Sequence, residues 1–368
     1  MKFLISVYDK KGLVKFLSEI REKIDCIYAT HGTYVFLKKN GFDSHDTSEV
    51  TGFEDLLGGR VKTLHPIIYS GLLYRDEKDK TELKFDAVIS NLYPFMDSIG
   101  NEENMIENID IGGVSITRAA AKNYRNILTI TDPSEYDEVS ERLIDGNIDI
   151  DFRKRLAMKA FARMAEYDAN IYNAFTQHFG YDREFLLVSG KNGLKLRYGE
   201  NPDQLGYVYN DGSGNGIANA EKLNGKELSY NNILDADSAF ETSLEFKENT
   251  AVIIKHNTPC GVASDRDIIQ AFKKAWNSDS ESAYGSVVAI NTEVTEELAH
   301  EMKSLFMEVL IAPGYNRKAL KTLSNKKNLR ILRLPWIRND EMRIRSISNG
   351  YLAQSATSAE PKSMKLVT

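Results

Sequence analysis

KFLISV (2–7) is a short apolar run closed by the polar turn DKKG, and LVKFLSEIREK follows with apolar residues at helical spacing. The same unit then repeats. IDCIYAT (24–30) reads as a second buried strand, HGT as a turn, and TYVFLKKNG as a helix closed by glycine. FDAVISNLYPF and NILTITDP supply two more strands. A chain that alternates strand, turn and helix in this way is expected to form a parallel sheet with helices on both faces. Such sheets bind ligands at the carboxyl ends of their strands, so the strand-end loops are the first places to look for chemistry.

RKRLAMKAFARMAEYDANIYNAF (153–175) puts Phe161, Met164, Ile171 and Phe175 on one helical face, a stripe expected to meet a core rather than a cofactor. After Phe175 the pattern loosens, and QHFGYDREFLLVSGKNG is the best linker. This predicts a first domain over 1–185, a second over 194–354, and a polar tail over 355–368. The second part opens with loops rich in Gly, Asn and Asp, YNDGSGNG among them. AVIIKH then reads as a buried strand, IIQAFKKAW as a helix and SVVAINTEV as a strand. A helix from about Glu296, the strand EVLIAP and the helix ALKTLSNKK follow, again an α/β pattern. A length of 368 residues is ample for two or three such domains.

Composition narrows the partners. The net charge of −6 is spread without a long basic block, against the dense positive footprint that non-specific nucleic-acid binding needs. No stretch approaches the ~18–20 apolar residues of a membrane span, and the apolar run of MKFLISVYDKK is too short for a signal peptide. Two cysteines, Cys26 and Cys260, cannot build a disulfide framework, so a reducing cytoplasm is expected. HxxxH, CxxC, HExxH, GxSxG and GxxxxGK[ST] are all missing from the sequence, and no metal site is expected.

The candidate chemistry lies elsewhere. SVYDKKG supplies Ser6 and Lys10, and ATHGT supplies Thr30, Gly32 and Thr33, either two ordinary helix starts or a cradle for phosphate. GGRVKTLHP crowds Arg60, Lys62 and His65 into one loop, with Arg60 and Lys62 on the same side of an extended segment. ENIDIGGVSITRAAAKN offers Asp110, two glycines opening a helix, and Arg118 and Lys122 one turn apart on it, which as a bland alternative form a salt-bridge face. NLYPF ends a strand with Tyr93. IIKHNTPCGVA (253–263) sets Lys255 and His256 at a strand end before what reads as a Cys260–Gly261 turn. Metal site, thiol nucleophile, proton-transfer pair and a plain strand running into a tight loop are the competing readings there, the proton-transfer pair being the best. Together these groups suit acid–base and oxyanion chemistry on a phosphorylated substrate.

SVYDKKGL, GRVKTLHP, NLYPF, ENIDIGGVSITRAAAKN, LRYGENPDQ, GKELSYNNILDADSA, IIKHNTPCGVA, AYGSVVAIN and EVLIAPGY occur in that order. From Met1 to about Gln354 the chain resembles the bifunctional purine-biosynthesis family of AICAR transformylase/IMP cyclohydrolase, AICAR being aminoimidazole carboxamide ribonucleotide. The resemblance implies an N-terminal methylglyoxal-synthase-like domain that closes formyl-AICAR to IMP with loss of water and without a cofactor. It implies a C-terminal cytidine-deaminase-like transformylase domain that moves a formyl group from 10-formyltetrahydrofolate to AICAR. Ser6, Lys10, Thr30, Gly32, Thr33 and Arg60 would surround the 5′-phosphate. Lys62, Tyr93, Asp110 and Lys122 would stand at the reacting end, with Thr63, Gly112 and Gly113 also binding substrate. In the second domain Arg197, Tyr198, Asn232 and Gly285 would hold nucleotide, Lys255 and His256 would catalyse, and Glu308 would contact folate. A cytoplasmic homodimer is also implied.

Some positions depart from the family's pattern. His31 stands where a double glycine is usual, Asp203 where YGENP is followed by histidine, and Ser286 where a second glycine is common. The family usually continues for about one more lobe beyond SISNGYLAQ, so an incomplete transformylase is expected from the resemblance. The alternatives are a nucleotide-binding protein of the same fold without turnover and a methylglyoxal-synthase-like enzyme. The presence of Lys62, Tyr93, Asp110 and Lys122 together weighs against the first, and the long second α/β stretch against the other.

Overall fold

In chain order the first half folds as β1 (Lys2–Val7), α1 (Leu13–Glu19), β2 (Cys26–Ala29), α2 (His31–Lys39), β3 (His45–Asp46), α3 (Thr47–Thr51) and α4 (Pro66–Leu73). It continues with β4 (Ala87–Asn91), α5 (Glu102–Glu107), α6 (Gly112–Lys122), β5 (Leu128–Ile130), α7 (Tyr136–Ile144) and α8 (Ile150–Phe179). The computed structural model describes residues 1–53, 61, 63–75, 79–338 and 342–356. Its contacts divide the chain into two units, Met1–Ser189 and Gly190–Thr368.

The first unit's sheet runs β3-β2-β1-β4-β5, every neighbouring pair parallel. Strand alternation sorts its residues onto two faces. Phe3, Ile5, Ala87 and Ile89 pack with Leu13, Phe16 and Leu17 of α1 and with Val139 of α7. Leu4 and Val88 face the other way, against Ile68 and Leu72 of α4 and Ile116 and Ala120 of α6. Both faces are thus covered, which is why these strands read as unbroken apolar runs.

The sequence HGT is not a separate turn. α2 starts at His31, directly after Thr30, so these residues form its first helical turn. α8 starts on Asp149, whose carboxylate accepts the Phe152 N–H at 2.7 Å, and it ends at Gly180. Its 30 residues make a rod about 45 Å long. Met164 is buried and Ile171 and Phe175 pack into a small core with Phe95 and Tyr167, but Phe161 is 42% exposed. The helical stripe expected from the sequence therefore loses Phe161, whose ring lies under the Arg118 guanidinium at 6.0 Å. An aromatic carried on the helix flank finds a cation instead of a core.

The second unit folds as β6 (Lys191–Lys195), β7 (Tyr207–Asn210), β8 (Glu221–Asn224), α9 (Tyr230–Ser243), β9 (Thr250–Lys255), β10 (Thr258–Ser264) and α10 (Ile268–Ser278). Then come β11 (Ser286–Ile290), α11 (Glu296–Met302), β12 (Met307–Ala312), α12 (Arg317–Ser324), β13 (Arg330–Arg333), β14 (Arg343–Ile347) and β15 (Gly350–Gln354). The main sheet has the order β10-β9-β11-β12-β13-β8. β11, β12 and β13 are parallel, while β9 runs against both β10 and β11 and β13 runs against β8. Ile253, Val288 and Leu310 face Phe272 and Trp276 of α10. Val252, Ile254 and Val309 face Ala236, Ala239 and Phe240 of α9.

Cys260 and Gly261 do not form the turn that their types suggested. Both lie within β10, and the turn is four residues earlier, at His256 and Asn257 with φ of 54° and 57°. Two consecutive left-handed residues between paired Lys255 and Thr258 make a two-residue hairpin of the primed kind. Gly261 has another purpose. A Cβ there would sit 1.9 Å from the Ala275 carbonyl oxygen, so its hydrogen lets α10 lie directly on the strand.

Two outcomes follow for stability. Gly261→Ala forces β10 and α10 apart and costs about 1–3 kcal/mol or more, read as a lower urea midpoint for the second unit. Gly32→Ala, whose Cβ would meet nothing within 4 Å, leaves stability within about 1 kcal/mol. Asp46 concerns acid. Burial raises its carboxyl, but the Ser48 N–H, the His31 ring and the Ser48 hydroxyl outweigh that and hold it below its ordinary value. Such a group contributes stability that is complete above its unfolded pKa, near pH 4, and is lost as pH falls through the folded one. The wild type should therefore weaken more steeply than Asp46→Asn below about pH 4; parallel denaturation profiles would refute this.

Candidate active sites

In the first unit the ends of β1, β2 and β4 lie side by side, since β1 pairs with both of the others. The Thr30 hydroxyl donates to Ser6 Oγ at 3.3 Å, joining the first two loops. The buried Thr33 hydroxyl serves the scaffold: it donates to the Val7 carbonyl and accepts the Val7 N–H, each at 3.3 Å. Lys10 folds back so that Nζ donates to the Val7 and Tyr8 carbonyls at 3.3 and 3.2 Å. Asn91 ties β4 to this loop. Its Oδ1 accepts the N–H groups of Tyr8 and Asp9 at 2.6 and 3.0 Å, and its Nδ2 donates to the Asp9 carbonyl at 2.7 Å. Tyr93 follows two residues later, its ring edge-on to Tyr8 at 5.5 Å and its side chain 37% exposed.

The start of α6 brings the carboxylate. Asp110 Oδ1 accepts the Gly113 N–H at 2.6 Å, and the Asp110 N–H donates to the Tyr167 hydroxyl at 2.9 Å. That hydroxyl donates onward to the Asn108 carbonyl at 2.7 Å, so α8 pins the loop. Burial, with Asp110, Asp168 and Tyr93 nearby, pushes the Tyr167 phenol up to about 12, and it stays neutral. A Cβ on Gly113 would be 2.5 Å from Asp110 Oδ2, so only glycine leaves the carboxylate its place. Thr63 is buried, its hydroxyl finds no partner among the described residues, and a Cβ on Gly112 would be 3.0 Å from it. An orphaned buried hydroxyl beside an open helix start is a ready contact for a bound molecule or a water. Lys122 lies at the opposite end of α6, about 15 Å of helix rise from Gly112, and is exposed. Arg60 and Lys62 lie outside the described residues.

The second unit gathers its groups around the carboxyl end of β9 and the amino ends of β11 and β12. Lys255 Nζ donates to the Tyr284 carbonyl at 2.8 Å, and the following Gly285 N–H donates to the Phe306 carbonyl at 2.9 Å. Asp235 of α9 accepts both turn N–H groups, His256 at 3.2 Å and Asn257 at 2.7 Å. The His256 side chain is therefore exposed on a tightly held turn. One helical turn before Asp235, the buried Asn232 donates to Glu308 Oε2 at 2.8 Å, and Arg330 Nη1 stands 3.5 Å from the same oxygen. Arg197 covers the Tyr198 ring at 5.6 Å, and the loop they begin touches α9 where Asn231 donates to the Glu200 carbonyl at 3.4 Å. Burial and Asp279 raise the Cys260 thiol against the pull of Lys255, which makes it a poor nucleophile.

The chain matches the family described as the AICARFT/IMPCHase bienzyme over residues 120–368 and the MGS-like domain over residues 12–115. The bifunctional purine biosynthesis protein PurH of Aquifex aeolicus is 42% identical over 384 residues, covering 100% of this chain and 76% of its own. Its counterpart in Caldicellulosiruptor saccharolyticus is 43% identical, over 96% and 73% of the two chains. That of Staphylococcus carnosus is 41% identical, over 100% and 75%.

The chain belongs to the AICARFT/IMPCHase bienzyme family. It is an enzyme of purine biosynthesis, and it spans about three quarters of the length of these relatives. Four groups in the two candidate sites escaped the sequence reading: Asn91, Tyr167, Asp235 and Arg330. Tyr167 is 57 residues from Asp110 and Asn91 is 83 from Tyr8, separations at which local patterns carry no signal. Asp235 was within reach, because three residues from Asn232 on a helix is the same face.

Gly113→Ala should push Asp110 aside and lower the rate of IMP formation about tenfold to a hundredfold, with formyl transfer unchanged. Equal rates for wild type and variant would show that the Asp110 position does not matter.

Proposed function

We propose that the first unit closes formyl-AICAR to IMP at the carboxyl edge of its parallel sheet, and that the second unit transfers the formyl group from 10-formyltetrahydrofolate to AICAR. The observation that carries the first assignment is the Asp110 carboxylate, fixed by Gly113 and Tyr167 at the opening of α6. In the ring closure the carboxamide nitrogen attacks the formyl carbon, a C–N bond forms, and the formyl oxygen becomes an oxyanion. That oxygen takes two protons in all and leaves as water as its C–O bond breaks; the attacking carboxamide nitrogen gives up one proton and the formamido nitrogen the other, which leaves the new C=N bond. Asp110 orients the amide and accepts its proton, and Tyr93 and Lys62 stabilise the oxyanion. Ser6, Lys10, Thr30 and the first turn of α2 receive the 5′-phosphate, with Arg60 as a further cation. Lys122, at the far end of α6, is kept as a second group that moves protons at the reacting end, and the scheme needs no cofactor.

In the second unit His256 takes the proton from the weakly nucleophilic AICAR amine as it attacks the formyl carbon, and Lys255 stabilises the oxygen of the transferred group; the bond from that carbon to N10 then breaks, and N10 takes a proton and leaves as tetrahydrofolate. Asn232, Arg197, Tyr198 and Gly285 hold the nucleotide, and Glu308 contacts folate. The exposed imidazole on a rigid turn and the lysine one residue before it support this reading. Among the described residues no helix is long and apolar enough to cross a membrane, and a cytoplasmic location is what we expect from the family. A homodimer is the assembly we expect from the family.

Paired assays on one preparation test both halves. Asp110→Asn should slow the conversion of formyl-AICAR to IMP by about 10²–10⁴-fold and leave tetrahydrofolate release from 10-formyltetrahydrofolate and AICAR intact. His256→Ala should do the reverse. If either variant damages both reactions equally, or neither, the assignment of one site to each unit is wrong.

A further inference from the structure

α2 begins at His31, and its N-cap Thr30 makes no side-chain bond to the helix. The N–H groups of His31 and Gly32 have no acceptor among the described residues, and a Cβ on Gly32 would meet nothing within 4 Å. His31 stands at this open helix start with its ring 63% exposed and its Nδ1 2.9 Å from Oδ2 of Asp46, whose side chain is 11% exposed. The other Asp46 oxygen already accepts the Ser48 N–H and hydroxyl, both at 2.9 Å, which leaves Oδ2 to the imidazole. These bonds hold the Asp46 carboxyl below its ordinary value, so it is ionised at neutral pH.

An ionised carboxylate only accepts, so the ring's hydrogen is on Nδ1. Nε2 is then the nitrogen left for a ligand. In the neutral ring it offers a lone pair, which repels a phosphate dianion. In the protonated ring it offers an N–H, which the dianion accepts, while Asp46 balances the charge behind it. The neighbouring charges are otherwise engaged. Glu49 accepts from His45 at 2.8 Å and from the Asp46 N–H at 3.1 Å, and Lys38 donates to Asp43 at 2.8 Å. Lys10 sits on its own loop's carbonyls, with Nζ 5.9 Å from the Phe36 ring centre.

We propose that His31 is a ligand of the substrate phosphate, and that the Asp46–His31 pair makes phosphate binding by the first unit depend on protonation of the ring. The inference rests on the reading of that unit as the IMP-forming one. Binding is thereby coupled to proton uptake by the ring, and affinity falls as pH rises above neutrality.

IMP affinity, measured by calorimetry on the full chain between about pH 7 and 8.5, tests it. A phosphate monoester, with its second pKa near 6, stays dianionic over this interval, while an imidazole goes from partly protonated to neutral. Wild-type affinity should fall about three- to tenfold, with proton uptake on binding. His31→Gln keeps an N–H donor at every pH and should lose the slope. His31→Gly should lose it too and bind more weakly. The purine ring titrates alike in all three proteins, so a slope specific to the wild type belongs to His31. A flat wild-type profile, or a folded variant that keeps the wild-type slope, overturns the role of His31. Failure of the folded wild type to bind IMP at any pH overturns instead the reading of the unit itself.

Discussion

Parallel pairing of β1 with β2 and β4 decides where the first unit can do chemistry. When neighbouring strands run the same way, each strand-to-helix connection emerges at the same edge, and the helix amino ends gather there with unpaired N–H groups. Ser6, Thr30, Asn91 and Tyr93 share that edge because of strand direction. They come from loops that otherwise have little in common. The contacts that shape the edge are second-order adjustments to this arrangement. Asn91 fastens one loop, Tyr167 another, and Thr33 fixes the end of β1.

The second unit solves the same problem with the opposite polarity. β11, β12 and β13 are parallel, but the candidate groups lie at the amino ends of β11 and β12, since β9 runs against β11 and delivers Lys255 there. The rule that ligands sit at carboxyl ends applies to strands followed by crossover helices, and β9 is followed by a hairpin instead. α9 completes the cluster from its first turns, with Asn232 on Glu308 and Asp235 on the turn itself.

The architecture was legible in the sequence because burial on both faces leaves unbroken apolar runs, as in KFLIS, AVIIK and VVAI. The family motifs made most candidate residues legible too. What escaped had physical reasons. CG drew attention as a turn because glycine usually marks one, but Gly261 is there for the approach of Ala275, a contact no local pattern reveals. The actual turn uses His256 and Asn257, a pair seldom chosen as a hairpin signal. Phe161 fits the helical period of a core stripe, yet the stripe is wider than the surface it meets.

The hairpin at His256 ties chemistry to sheet register. A two-residue connection has no slack: its dihedral angles are determined by the strands it joins, and Asp235 bolts it from the side. The imidazole is thus carried on a part with almost no freedom of its own, and its aim is inherited from the pairing of β9 with β10. A slip of one residue in that pairing would turn the side chain to the opposite face of the sheet. Errors in assembling this sheet would therefore register directly as displacement of the proposed catalytic group, before any loss of secondary structure could be seen.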